Sequence, residues 1–180
     1  SYNLCMVLVC SVLIMLSRVM AKFLYANDFY NAWKYVPFLL IASVFGALSG
    51  YVGGIFAATK DTKIFAKTSI MGAVANLMLT FVLVWKVGVM GAAIASPVSY
   101  GFIWYLRIKS VSKYMNMKIN LFKDVFGYLI LCIQTVLLFI FPDNILFFIL
   151  QLLAIVVLLL LNKELLSIVM NKITNKFIKR

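Results

Sequence analysis

The sequence predicts an all-α, polytopic membrane protein with six transmembrane helices, and three observations carry that prediction. Hydrophobic residues make up 65% of the 180, charged residues 12%, and the mean hydropathy is +1.07, whereas an ordinary soluble domain is about 25% charged. The apolar residues fall into runs of about 20, enough to cover a hydrocarbon core of about 30 Å at about 1.5 Å per residue. The 17 Lys and Arg residues lie between these runs and change in density from loop to loop, as orientation in a bilayer requires.

In chain order, the first span is expected over 2–20, continuing as helix past Arg18 and Lys22. The second, 36–57, carries Gly46, Gly50 and Gly54, spaced four apart. A basic loop, Thr59-Lys60-Asp61-Thr62-Lys63, leads to the third span, 64–85, which has Asn76 in its middle. A tight Lys86-Val87-Gly88 corner opens the fourth, 88–105, rich in small residues and interrupted by Pro97. The fifth and sixth, 125–141 and 145–161, are joined by Pro142-Asp143-Asn144, a turn with a helix breaker where the fifth must stop. A basic tail, 162–180, follows, with Val169, Ile173 and Phe177 four apart among its lysines. That spacing suits a segment lying on an anionic leaflet, and a weakly attracted frayed tail is the alternative. The 110–124 loop has a similar mixture and is expected at the interface as well.

With six spans, one side of the membrane receives Lys60, Lys63, Lys67, Arg107, Lys109, Lys113, Lys118, Lys123, Lys163, Lys172, Lys176, Lys179 and Arg180. The other receives Arg18, Lys22, Lys34 and Lys86. Short cytoplasmic loops hold the excess of positive charge, so both ends of this chain are expected in the cytoplasm. The formal charge of +12 does not point to nucleic acid, because it forms no aromatic-interleaved basic stripe. Starting at Ser1 without a methionine or a signal-peptide pattern, the chain reads as a piece of a longer protein.

The composition also argues against an enzyme, and no cofactor or metal is expected. There is no histidine, and the five carboxylates, Asp28, Asp61, Asp124, Asp143 and Glu164, stand at or beyond span ends in separate connections. A paired-carboxylate or metal-assisted centre needs such groups to converge. Cys5, Cys10 and Cys132 lie inside apolar runs, where thiols behave as small hydrophobes, and have no metal-ligand spacing.

The candidate functional residues are the polar and small ones inside the spans. Arg18 and Lys22 share a helical face and either form a cationic rim with Lys34 or snorkel to the interface. Lys67, one turn inside the third span, has the same two readings. Asn76, Gln134 and Gln151 are the strong hydrogen-bonding groups at depth and are expected to bond neighbouring helices or face a polar cavity. Gly46, Gly50 and Gly54 on the second span, with Gly88, Gly91 and the neighbouring Ala92, Ala95, Ser96 and Ser99 on the fourth, form small-residue stripes for close helix packing. Such stripes also suit helices that rock during transport. Pro97 removes a backbone hydrogen bond and is expected to bend its helix.

Across 31–109 the chain resembles the C-terminal region of polysaccharide biosynthesis proteins. These are the O-antigen and capsule flippases of the multidrug/oligosaccharidyl-lipid/polysaccharide exporter superfamily. The resemblance rests on Ala32-Trp33-Lys34-Tyr35-Val36-Pro37, Gly46-Ala47-Leu48-Ser49-Gly50, Thr59-Lys60-Asp61-Thr62-Lys63, Asn76 with the apolar stretch after it, Gly88-Val89-Met90-Gly91-Ala92-Ala93-Ile94-Ala95, and Ser99-Tyr100. It implies one six-span bundle of a twelve-helix transporter of the bacterial inner membrane, with a central cavity open to one side at a time. The implied substrate is a polyprenyl-diphosphate-linked oligosaccharide moved from the cytoplasmic to the outer leaflet, with a missing six-span N-terminal half as partner. A peptidoglycan lipid-precursor flippase, a drug/cation antiporter of the same superfamily and a membrane-embedded glycosyltransferase or polymerase are the alternatives. The spans depart from an ion-coupled pattern in having no deep carboxylate.

Overall fold

The computed structural model describes residues 2–24, 27–114, 121–141 and 145–161. These are helical apart from short turns: α1 (Tyr2–Leu24), a 3-10 helix (Asn27–Lys34), α2 (Val36–Ala58), α3 (Thr62–Val87), α4 (Val89–Val111), α5 (Leu121–Ile140) and α6 (Ile145–Leu161). Among the described residues, five helices are long and apolar enough to cross a membrane, as in a multi-pass membrane protein. The sixth expected span, α6, has 17 residues and falls short of the others in length. The tail over 162–180, the turn Pro142-Asp143-Asn144 and residues 115–120 of the 110–124 loop lie outside the described residues, the two ends of that loop belonging to α4 and α5.

Two compact units make up the chain, Leu16–Ile119 and a second one combining Ser1–Met15 with Asn120–Arg180. In the first, α4 packs along both α2 and α3. Small residues set the approach. A Cβ on Gly72 of α3 would overlap the Ile103 side chain of α4, and one on Gly91 would overlap the backbone at Leu83 of α3. On α2, a Cβ at Gly53 would lie 2.6 Å from the Phe65 ring. Phe45 of α2 meets Trp104 of α4 with ring centroids 5.9 Å apart. In lipid, where apolar burial contributes little to association, contacts of this kind supply much of the packing energy.

The three glycines of the ridge expected on α2 have different surroundings within this unit. Gly46 faces α4, its added Cβ 3.6 Å from the Tyr100 ring, whereas a Cβ on Gly50 or Gly54 meets nothing within 4 Å among the described residues. The helix buries the neighbouring Ser49 and Gly53 instead. A four-residue repeat drifts around a helix of about 3.6 residues per turn, so a strict i, i+4 ridge leaves a straight contact line after one step.

The connections between α2, α3 and α4 are tight and explain themselves chemically. Gly88 adopts φ 65°, a left-handed conformation suited to glycine, and turns the chain from α3 into α4. The α2 terminus closes with Lys60 N–H donating to Ala57 O at 3.2 Å and Asp61 N–H to Phe56 O at 3.0 Å. This is a Schellman arrangement, and it places Lys60 at φ 58°. Asp61 then caps α3, its Oδ1 accepting from Ile64 N–H at 3.4 Å, and its Oδ2 accepts from the Tyr114 hydroxyl just past α4. One carboxylate therefore joins three helix ends. Below it, Val52, Phe56 and Val111 form an apolar cluster with Ile55, Ile64 and Ile108 around them.

Helix α4 differs from its expected bounds, running six residues beyond 105 to Val111. It passes through Pro97 as one continuous helix, although the ring leaves the carbonyl four residues earlier without its usual donor. The extension matters because it carries Arg107, which the charge pattern had assigned to a loop.

In the second unit, α5 and α6 pack together, and Gln151 Nε2 donates to the main-chain oxygen of Gln134 at 3.0 Å. The N-terminal part of α1 contributes Val7, 3.5 Å from where a Cβ on Gly127 would lie. Tyr128 donates its hydroxyl to Asn3 Oδ1 at 3.0 Å.

Candidate functional site

The most developed polar centre lies where α2, α3 and α4 meet, around Arg107, 5% exposed. Its Nη1 donates to Ser49 O at 2.8 Å, its Nε to Thr68 Oγ1 at 3.2 Å and its Nη2 to Ser69 Oγ at 2.8 Å. The guanidinium carbon stands 4.3 Å from the Phe65 ring centroid, in reach of a cation–π attraction. A planar fork with five donors can bond in three directions at once, which an ammonium cannot. The acceptors are placed by sequence: Thr68 and Ser69 are adjacent on the first turns of α3, and Gly53 leaves room for the head group, 3.2 Å from its would-be Cβ. All three acceptors are neutral, so the positive charge is solvated by dipoles rather than by a carboxylate.

The predicted site residues are placed as follows. Arg18 is half-buried and stacks on buried Trp33, with 4.0 Å from its guanidinium carbon to the ring. Lys22, one turn further along α1, is exposed, and so is Lys67 on α3. Asn76 is half-buried, and its Oδ1 accepts from Thr80 Oγ1 on the same helix at 3.2 Å. Gln134 and Gln151 are fully buried between α5 and α6. Beyond the Gln151 bond to the Gln134 backbone, both amide atoms of Gln134 and the Oε1 of Gln151 have no hydrogen-bond partner among the described residues. The structure thus pairs Arg18 with Trp33 and Gln134 with Gln151, while Lys67 and Asn76 join neither centre. Among the described residues, no three His, Cys, Asp or Glu side chains come together as metal ligands would. An open apolar groove of about 890 Å³ runs along α3 past Leu77, Phe81 and Trp85.

Sequence reasoning missed Arg107, Gly53 and Gly72. The available signal was periodicity: Arg107 lies four residues before Val111 and eight after Ser99, on the face of α4 that also buries Ala95 and Gly91. Extending that face would have carried the helix beyond 105.

No family model, curated protein or solved structure matches this chain.

Proposed function

We propose that this chain is one bundle of a flippase that carries a polyprenyl-diphosphate-linked oligosaccharide, an O-antigen or capsule repeat unit, across the bacterial inner membrane by alternating access. The observation that carries the reading is that the stretch resembling such flippases, 31–109, falls within one compact unit, Leu16–Ile119, that also contains Arg18 and Lys22. A diphosphate with sugars attached cannot enter hydrocarbon unaided, and a cationic wall lowers that cost through charge-assisted hydrogen bonds. Arg18 and Lys22 on α1 are the residues for that wall, with Trp33 orienting the guanidinium from its face. Arg107 has a different part, holding α2, α3 and α4 of the first unit together. The second six-span bundle, in the parallel-repeat arrangement common among transporters, supplies the opposite wall, and both ends of this chain lie in the cytoplasm.

The test is export of surface polysaccharide in cells whose own flippase has been removed. The full-length protein restores export, Arg18→Ala and Lys22→Ala lower it at unchanged membrane abundance, and Lys172→Ala does not. Wild-type export from an Arg18/Lys22 double variant would remove both residues from the site.

A further inference from the structure

Three local choices at the α2–α3 end of the first unit run against the helix physics around them. Lys60 occupies the left-handed position that closes α2, φ 58°, where glycine fits freely and a side chain costs about 1 kcal/mol. Lys63 stands in the first turn of α3, which has no acidic residue there, so its charge opposes the positive end of the helix dipole. Lys63 and Lys67 are four apart on α3, and both are exposed, a like-charge spacing that is destabilising by a few tenths of a kcal/mol. The exposed Lys109 and Lys113 stand at the end of α4, and the contact of Tyr114 with Asp61 brings that end against the α2–α3 loop. Asp61 is the one carboxylate between Asp28 and Asp124. It is hydrogen-bonded by Tyr114 and by the Ile64 N–H, and a single carboxylate among the five lysines Lys60, Lys63, Lys67, Lys109 and Lys113 leaves the group strongly positive.

We infer that Lys60, Lys63 and Lys113, with Lys67 and Lys109 one turn further into α3 and α4, form a binding site for the phosphate of a lipid headgroup. An anion there relieves the like-charge repulsion, and a lysine near a membrane surface contributes about 1 kcal/mol toward anionic lipid. The end of a membrane helix unit is where headgroups lie, and ammonium groups on long side chains suit a mobile phosphate as point charges. The site stands apart from the transport reading, since it holds a phosphate whether or not the protein moves one.

The experiment compares thermal unfolding of the full-length protein in zwitterionic phosphatidylcholine nanodiscs and in nanodiscs containing phosphatidylglycerol, together with retention of each lipid in native mass spectrometry. Phosphatidylglycerol raises the wild-type midpoint and is retained in preference to phosphatidylcholine, and each lysine neutralised lowers its affinity about five-fold, the factor equivalent to about 1 kcal/mol. Lys60→Gly separates binding from folding: it unfolds at or above the wild-type midpoint in phosphatidylcholine alone, yet loses part of the phosphatidylglycerol shift. Equal retention of both lipids by the wild type, or an unchanged preference in a Lys60→Gly/Lys63→Gln/Lys113→Gln variant, would overturn the site. A shift of the same size from inorganic phosphate at matched ionic strength would overturn its assignment to a lipid.

Discussion

Arg107 on α4 donates from Nη1 to the main-chain oxygen of Ser49 on α2 at 2.8 Å. A guanidinium buried in a membrane helix is expensive unless its donors are satisfied, and here the acceptors come from two other helices. The bond makes the three-helix unit dependent on one side chain. Arg107→Met is therefore expected to lower stability by about 2–3 kcal/mol, the scale of hydrogen bonds to a charged group. Arg107→Lys should recover less than half of that, because an ammonium cannot serve Ser49, Thr68 and Ser69 together. Unfolding in mild detergent, followed by helix content, measures both.

The glycines on α2, α3 and α4 should separate into two classes. Gly91→Ala forces the backbone at Leu83 to move and is expected to cost about 2 kcal/mol or more, in the range of overpacking. Gly50→Ala projects into open space and should be neutral or stabilising by up to about 1 kcal/mol, the helix preference for alanine. If the two variants unfold alike, the packing face of α2 and α4 is misassigned.

The Asp61–Tyr114 contact gives an alkaline signature. The hydrogen bond to Asp61 is the largest cause, with some desolvation and the carboxylate charge added, and together they raise the Tyr114 hydroxyl above its ordinary value of 10. A tyrosine raised on folding contributes stability below its unfolded value, and that contribution is lost as pH rises through the folded value. The difference in ultraviolet titration between wild type and Tyr114→Phe should show a phenol ionising above pH 10, and Asp61→Asn should move it down. Asp61→Ala should also unfold more readily than Tyr114→Phe, since it loses the α3 cap as well, worth about 1 kcal/mol.

Gln134 and Gln151 are buried together with unmet amide atoms. Gln151 Nε2 reaches the Gln134 main-chain oxygen and not its side chain, so Gln134→Leu loses no hydrogen bond among the described residues, while replacing both by apolar groups of like shape removes the desolvation cost of each. Gln151→Leu alone is expected to destabilise by about 1 kcal/mol. The Gln134→Leu/Gln151→Leu double variant should be as stable as the wild type or more so. The cycle should be close to additive, since the two side chains do not bond each other; a double variant less stable than Gln151→Leu alone would contradict the unmet state of Gln134.

Much of the architecture was legible from residue order. The apolar runs located the helices, and Gly88 announced its corner because the α3–α4 turn needs a positive φ. The bounds of α4 were not legible, because hydropathy falls at Arg107 whether a helix ends or carries a buried cation. Only the partners on α2 and α3 distinguish the two cases. Gly53 and Gly72 escaped notice because their role depends on where Phe65 and Ile103 point, which no single-helix pattern contains. Gln134 and Gln151 were recognisable as polar groups at depth, and their pairing follows from the antiparallel hairpin they occupy.

Movement of a lipid-linked oligosaccharide can be followed in a reconstituted system. The full-length protein would be placed in vesicles with a labelled polyprenyl-diphosphate oligosaccharide in the inner leaflet, and arrival of sugar outside would be followed with a membrane-impermeant lectin. Lectin binding should grow with time, slowed by Arg18→Ala and Lys22→Ala and absent from protein-free vesicles. Vesicles containing folded protein that show no more binding than protein-free ones, with and without an ion gradient, would contradict the proposed transport.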